Sequence, residues 1–194
     1  MKLITLVVFV LVSFCSISQI KLTDPVISYY EDFELSKLAF KKFNDHRESI
    51  GAGSWKWSDS SYLTAKQWNN TMASQNLWGH SHINNSSSEI IVSVTLSGLE
   101  HPNGQDLTAP LDYEFIIDSC IAQILHSSYH RGGFCAPVKT ETRKSANIEW
   151  GPITLSKLLC DAGAVSAYVV NYGHYLTVTM VIHTIQLQNK KPSK

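Results

Sequence analysis

The chain has 194 residues, and its 16 Lys plus Arg balance 16 Asp plus Glu, so the formal net charge is zero. No basic stripe interrupts that balance, which gives no reason to expect nucleic acid as a partner. A chain of this size suits one domain that buries roughly 70% of the surface its unfolded form exposes.

The N-terminus has the form of an export signal. Lys2 supplies the positive charge, and Leu3 to Phe14 is apolar apart from Thr5 and Ser13. Ser16 and Ser18 place small residues where a signal peptidase reads, predicting a signal peptide over 1–18 and a mature chain that begins at Gln19. The run is shorter than the ~20 residues that span a bilayer, and no later stretch is longer, so no membrane span is expected. Bulky Phe14 before Cys15 argues against a lipid acceptor. The expected location is secreted or periplasmic.

Ser28 and Glu31 have capping-box spacing and predict a helix start. Leu35, Leu38, Ala39 and Phe43 then form one apolar stripe ending near Ser49, with Gly51 and Gly53 as breakers. Trp55 to Trp57 reads as a short extended link, and Ser58-Asp59 as the cap of a second helix carrying Ala65, Trp68 and Met72. A polar loop holds His80 and His82. Ile90, Val92, Val94 and Leu96 alternate with Ile91, Ser93 and Thr95, which is strand periodicity. After a loop over 97–111, Asp112 caps a third helix to about Ser127, with Ile116, Cys120 and Ile124 inside. Gly132-Gly133 predicts a stop, and 134–162 reads as irregular. Val165–Asn171 and Tyr175–Gln186 read as strands joined by a tight hairpin at Tyr172-Gly173-His174. The class is α+β, with helices on a largely antiparallel sheet.

Chemistry-bearing residues gather in the loops. His80, His82 and His130 sit at helix ends, and Glu89 opens the apolar strand. Imidazoles with one carboxylate suit a divalent cation such as Zn2+, or acid and base roles in proton transfer. No Gly-x-Ser-x-Gly elbow and no His-Glu-x-x-His motif occur. Glu100, Asp106, Asp112 and Glu114 read as solvated loop and cap acids. Asn69, Asn84 and Asn85 open glycosylation sequons. Of the cysteines beyond the signal, Cys120 reads as a buried free thiol, while Cys135 and Cys160 fall in loop-like sequence and are favoured as a disulfide pair.

Several segments resemble the CAP superfamily, the cysteine-rich secretory, antigen 5 and pathogenesis-related proteins, in its bacterial-type branch. Phe43-Asn44-Asp45-His46-Arg47-Glu48-Ser49-Ile50-Gly51 resembles the first-helix signature. Trp55-Lys56-Trp57-Ser58-Asp59, Leu63-Thr64-Ala65 and Trp68 resemble the link into the second helix. Trp78-Gly79-His80-Ser81 is similar to the segment of the first cleft histidine, and Ser88-Glu89-Ile90 stands where Gly-Glu-Asn is common. Ser127-Ser128-Tyr129-His130-Arg131 resembles the bacterial Ser-Pro-Gly-His-Arg segment, and Val165 to Ile185 the closing strands. The resemblance divides the mature chain into a lead-in (19–32), a CAP/SCP-like domain (33–186) and a polar tail (187–194).

That resemblance implies an α-β-α sandwich and a cleft where His80, Glu89 and His130 meet, with His82 as the alternative to His80. Eukaryotic members line the cleft with two histidines and two glutamates able to hold a divalent metal. Here Ser127 stands where the second glutamate would fall, so a triad is expected and Zn2+ or another divalent cation is not certain. Relatives bind sterols and other lipids. The expected partner is a small-molecule or lipid ligand, or an extracellular protein, held without catalysis. The alternative is a hydrolase with His80 or His130 as general base and Glu89 orienting it.

Overall fold

The computed structural model describes residues 19–81, 87–97, 110–135 and 160–185. The segment 1–18 expected to be a signal peptide, the polar tail, His82, Asn84, Asn85, Glu100 and Asp106 lie outside the described residues. In chain order the elements are β1 (Ile20–Lys21), β2 (Ser28–Glu31), α1 (Phe33–Ser49), β3 (Lys56–Trp57), α2 (Asp59–Gln75) and β4 (Leu77–Trp78), then β5 (Ser87–Ser97), α3 (Tyr113–His126), α4 (Ser128–Phe134), β6 (Ala162–Asn171) and β7 (Tyr175–Ile185). The class is α+β, as the periodicities imply.

The main sheet runs β2-β6-β7-β5 with antiparallel neighbours, and β3 adds a short parallel pairing to β6. β6 and β7 form the expected hairpin. Its turn depends on Gly173, whose φ of +88° suits glycine and where a Cβ would lie 2.8 Å from Ile27 Cδ1. The sheet buries both faces. On one, Ile90, Val92, Val165, Val178, Met180 and Ile182 meet Leu35 and Phe43 of α1, Ile116 and Ile124 of α3, and Phe134. Phe134 packs edge-to-face on Phe43 and Trp55, with centroids 5.5 and 5.7 Å apart. On the other face, Ala65 and Met72 of α2 cover Ile91 and Val181. Among the described residues no helix is long and apolar enough to cross a membrane.

Four expectations are corrected. Ser28–Glu31 is not a helix cap but strand β2, because its backbone pairs with β6 from Ser28↔Asn171 to Glu31↔Tyr168. Asp32 is the cap instead: its Oδ1 accepts from Leu35 N at 2.9 Å, and its Oδ2 accepts from the Tyr113 hydroxyl at 2.7 Å. Gly132-Gly133 does not stop a helix. It lies within α4, which begins where α3 ends because the Ser127 hydroxyl accepts from His130 N at 3.3 Å. Cys135 and Cys160 are separate thiols, both buried like Cys120. Burial pushes Cys120 up to about 12, so that thiol stays protonated. Finally, the sequon at Asn69 is not presented. The residue is 1% exposed, and its amide donates to Ser166 O at 2.9 Å and Thr179 O at 3.0 Å, pinning α2 to the sheet.

Candidate functional site

The loop after α2 is held from three sides. Asn76 closes the helix in the left-handed region, at φ 54° and ψ 48°, and its amide donates to Leu22 O and Asp24 O. The Trp68 indole N–H donates to Gly79 O at 3.0 Å. Ser81 then locks onto Glu89 of the edge strand β5: its backbone N–H donates to Oε1 at 2.8 Å and its hydroxyl to Oε2 at 2.5 Å. These anchors fix the direction of His80 between them.

His80 Nδ1 lies 3.1 Å from Glu89 Oε1. The carboxylate side chain is 2% exposed and the imidazole 40%, so the acid is internal and the base faces outward. A carboxylate accepts only, so the contact places the proton of a neutral His80 ring on Nδ1 and turns the Nε2 lone pair to the open side. Three donors on two oxygens also explain how Glu89 stays buried at the head of an apolar strand, since a buried charge without donors is strongly disfavoured.

His130 approaches from the other side of β5, on α4. Its ring centroid is 6.2 Å from that of His80, with the planes at 58°. Burial first, and the neighbouring His80 second, push the His130 imidazole down to about 4. It is therefore neutral at pH 7. The sign of the linkage follows: the unfolded chain, with an ordinary histidine value near 6.5, takes up the proton first. Stability is full above about pH 6.5 and falls as the pH drops toward 4, by on the order of 2 kcal/mol after allowance for solvent screening at this partly open group. Urea unfolding at pH 7.0, 5.5 and 4.5 should show this decline in the parent and a shallower one in His130→Gln. Equal slopes in the two proteins would remove His130 as the cause.

The expected trio of His80, Glu89 and His130 is thus brought together, while His82 lies outside the described residues. Ser127 spends its hydroxyl on the cap of α4. One residue was missed. His183 on β7 stands directly opposite Glu89 in the β5–β7 register and is 6% exposed. Burial lowers its imidazole below the ordinary value, with Glu89 opposing the shift. The signal in the sequence was a lone histidine inside an apolar closing strand, but its partner strand could not be read from periodicity.

Zinc sites use three or four protein ligands at close range. Among the described residues no three His, Cys, Asp or Glu side chains form a group able to hold a metal ion. Both Glu89 oxygens are already engaged by Ser81 and His80. Of the two imidazoles only His80 is turned outward, because Nε2 of His130 is buried, so the described residues do not form a closed resident metal site. No protein-family model, curated protein or solved structure matches the chain.

Proposed function

We propose that the protein is an exported binding module of the CAP type, whose ligand docks at the recess formed by His80 and His130. The observation that carries this reading is the buried Glu89 carboxylate, which orients His80 through Nδ1 while leaving the ring 40% exposed. An outward-facing ring nitrogen on His80, with the neutral His130 ring 6.2 Å away between centroids, suits a ligand that offers a hydroxyl or amide N–H, or a divalent ion carried with the ligand. Helices on both faces of the sheet are what an α-β-α sandwich of that family would require. The small-molecule or lipid nature of the ligand comes from the resemblance of the motifs alone.

A second reading, a hydrolase, has one feature in its favour. The Glu89–His80 pair has the arrangement that holds a general base in one tautomer. Water would have to serve as nucleophile in such a reaction.

Zn2+ serves as the probe of whether the two imidazoles act together. Calorimetric titration of residues 19–194 should show saturable binding that disappears in a His80→Ala, His130→Ala double variant. Absence of binding to the parent would mean that the imidazoles do not converge on a shared ligand, and the search would move to other surfaces. Ester or amide hydrolysis by the parent, abolished in a folded His80→Ala variant, would replace the binding reading with the enzymatic one.

A further inference from the structure

The layer between α2 and the sheet carries a concentration of unusual polar atoms. Ser61 Oγ, Asn69 Oδ1, Ser166 Oγ and both ring nitrogens of His183 are buried without a hydrogen-bond partner among the described residues. Exposure is 1% at Ser61 and Asn69, 0% at Ser166 and 6% at His183. Buried polar atoms are nearly always satisfied by protein or ordered water, so several orphans in one layer call for an explanation.

The four residues belong to one seam. Ser61, Ala65 and Asn69 are spaced four apart, so they form a single stripe on α2. Asn69 donates its amide to the carbonyl of Ser166 itself. Ser166 pairs with Val181, and Val181 packs against Ala65 and Met72, so this face of β6 and β7 looks at α2. His183 lies two residues along from Val181, on the same face, and pairs with Ala164 on one side and Glu89 on the other. Ser166 and His183 are therefore diagonal neighbours, within reach of a ring and a small bridging molecule. Two small residues border this seam: Ala164 pairs with His183 on the same face as Ser166, and Ala65 of α2 packs in one cluster with Val181.

The chemistry of the orphans is complementary to water. A neutral imidazole always presents one donor and one acceptor, a hydroxyl presents both, and the amide oxygen accepts. An internal water needs two to four such partners. We infer that the α2–sheet seam is an internal binding site for ordered water, held by Asn69, Ser166 and His183 with Ser61 at its helix-start end, and backing directly onto Glu89. The carboxylate that orients His80 then has the recess on one side and a hydrated interior on the other. This gives the recess a path for proton exchange that does not require the fold to open. The inference does not depend on what the recess binds.

Nuclear Overhauser spectra of the full chain would detect the water through the Ala65 and Ala164 methyl groups, which carry no exchangeable protons. Cross-peaks from a long-lived water to these methyls are expected, and they should be lost in a Ser166→Ala, His183→Leu double variant. Ser166→Ala alone should lower the unfolding midpoint by about 2–4 °C, the shift expected for one lost hydrogen bond in a domain of this size. A midpoint that stays or rises, without cross-peaks, would show dry orphaned hydroxyls and overturn the inference. A lowered midpoint without cross-peaks would show direct bonding among the side chains and overturn it too. Cross-peaks unchanged in the double variant would assign the water to other groups.

Discussion

Replacing Arg47 by methionine should destabilise the protein by about 3–5 kcal/mol, close to the limit that a single domain tolerates. The side chain is 0% exposed. Its guanidinium donates to Gly53 O at 3.0 Å, to Ala52 O at 3.3 Å and to Phe134 O, and it lies 4.1 Å from the Trp55 ring centroid. One planar fork thereby joins the end of α1, the loop before β3 and the end of α4. Burial lowers its pKa to about 10, so the group remains charged at neutral pH. Methionine would fill much of the space but leave those carbonyls without this donor, and each orphan costs about 1–3 kcal/mol. Arg47→Lys should recover only part of the loss, because an ammonium cannot serve three carbonyls on two separate segments as a planar fork does. Urea denaturation of the three proteins is the measurement. A loss below about 1 kcal/mol in Arg47→Met would mean that the fork is incidental to stability.

Glu89→Ala is expected to cost about 3 kcal/mol and to release His80. Ser81 would lose both of its acceptors, and His80 would lose the acceptor at Nδ1. Charge-assisted bonds of this kind contribute more than neutral ones. The second consequence separates this role from mere packing. In the parent, long-range proton–nitrogen correlation spectra above pH 7 should show His80 in one tautomer with the proton on Nδ1. The alanine variant should show a mixture, and Glu89→Gln, whose amide oxygen can still accept, should restore part of the preference. A tautomer ratio that does not respond to Glu89 would remove the orienting role on which the proposed function rests.

Much of the architecture was legible before any coordinates, and for local reasons. The stripes Leu35-Ala39-Phe43 and Ile116-Cys120-Ile124 repeat at helical spacing, and all six residues are 0% exposed. Ser58 and Asp112 accept from the backbone N–H groups of Ser61 and Phe115, the short-range bond that defines an N-cap. Alternation over 90–96 and the hairpin at Gly173 depend on neighbours in the chain. Where local rules misled, a tertiary partner outweighed them. Ser28–Glu31 satisfies the spacing of a capping box, but β6 offers it four residues of pairing. Gly132 and Gly133 are poor helix formers, at about 1 kcal/mol each relative to alanine, but α4 is closed by the Ser127 cap and by packing of Phe134.

The site divides in the same way. The residue types at 80, 89 and 130, and the polar loop that carries the first of them, are properties of the sequence. So is the buried apolar character of the strands on either side of Gly173. The tertiary structure alone decided that β5 pairs with β7, because strand partners are chosen by packing across long stretches of chain and leave no mark in either strand's own periodicity. That choice sets His183 opposite Glu89, draws Ser81 and His80 onto the same carboxylate, and brings His130 to them from the far side of the strand. It also decided that Cys135 and Cys160 stay apart as thiols and that Asn69 faces the sheet instead of solvent. Each of these outcomes depends on which faces meet, and a one-dimensional pattern records only that a face is apolar, not what it will be pressed against.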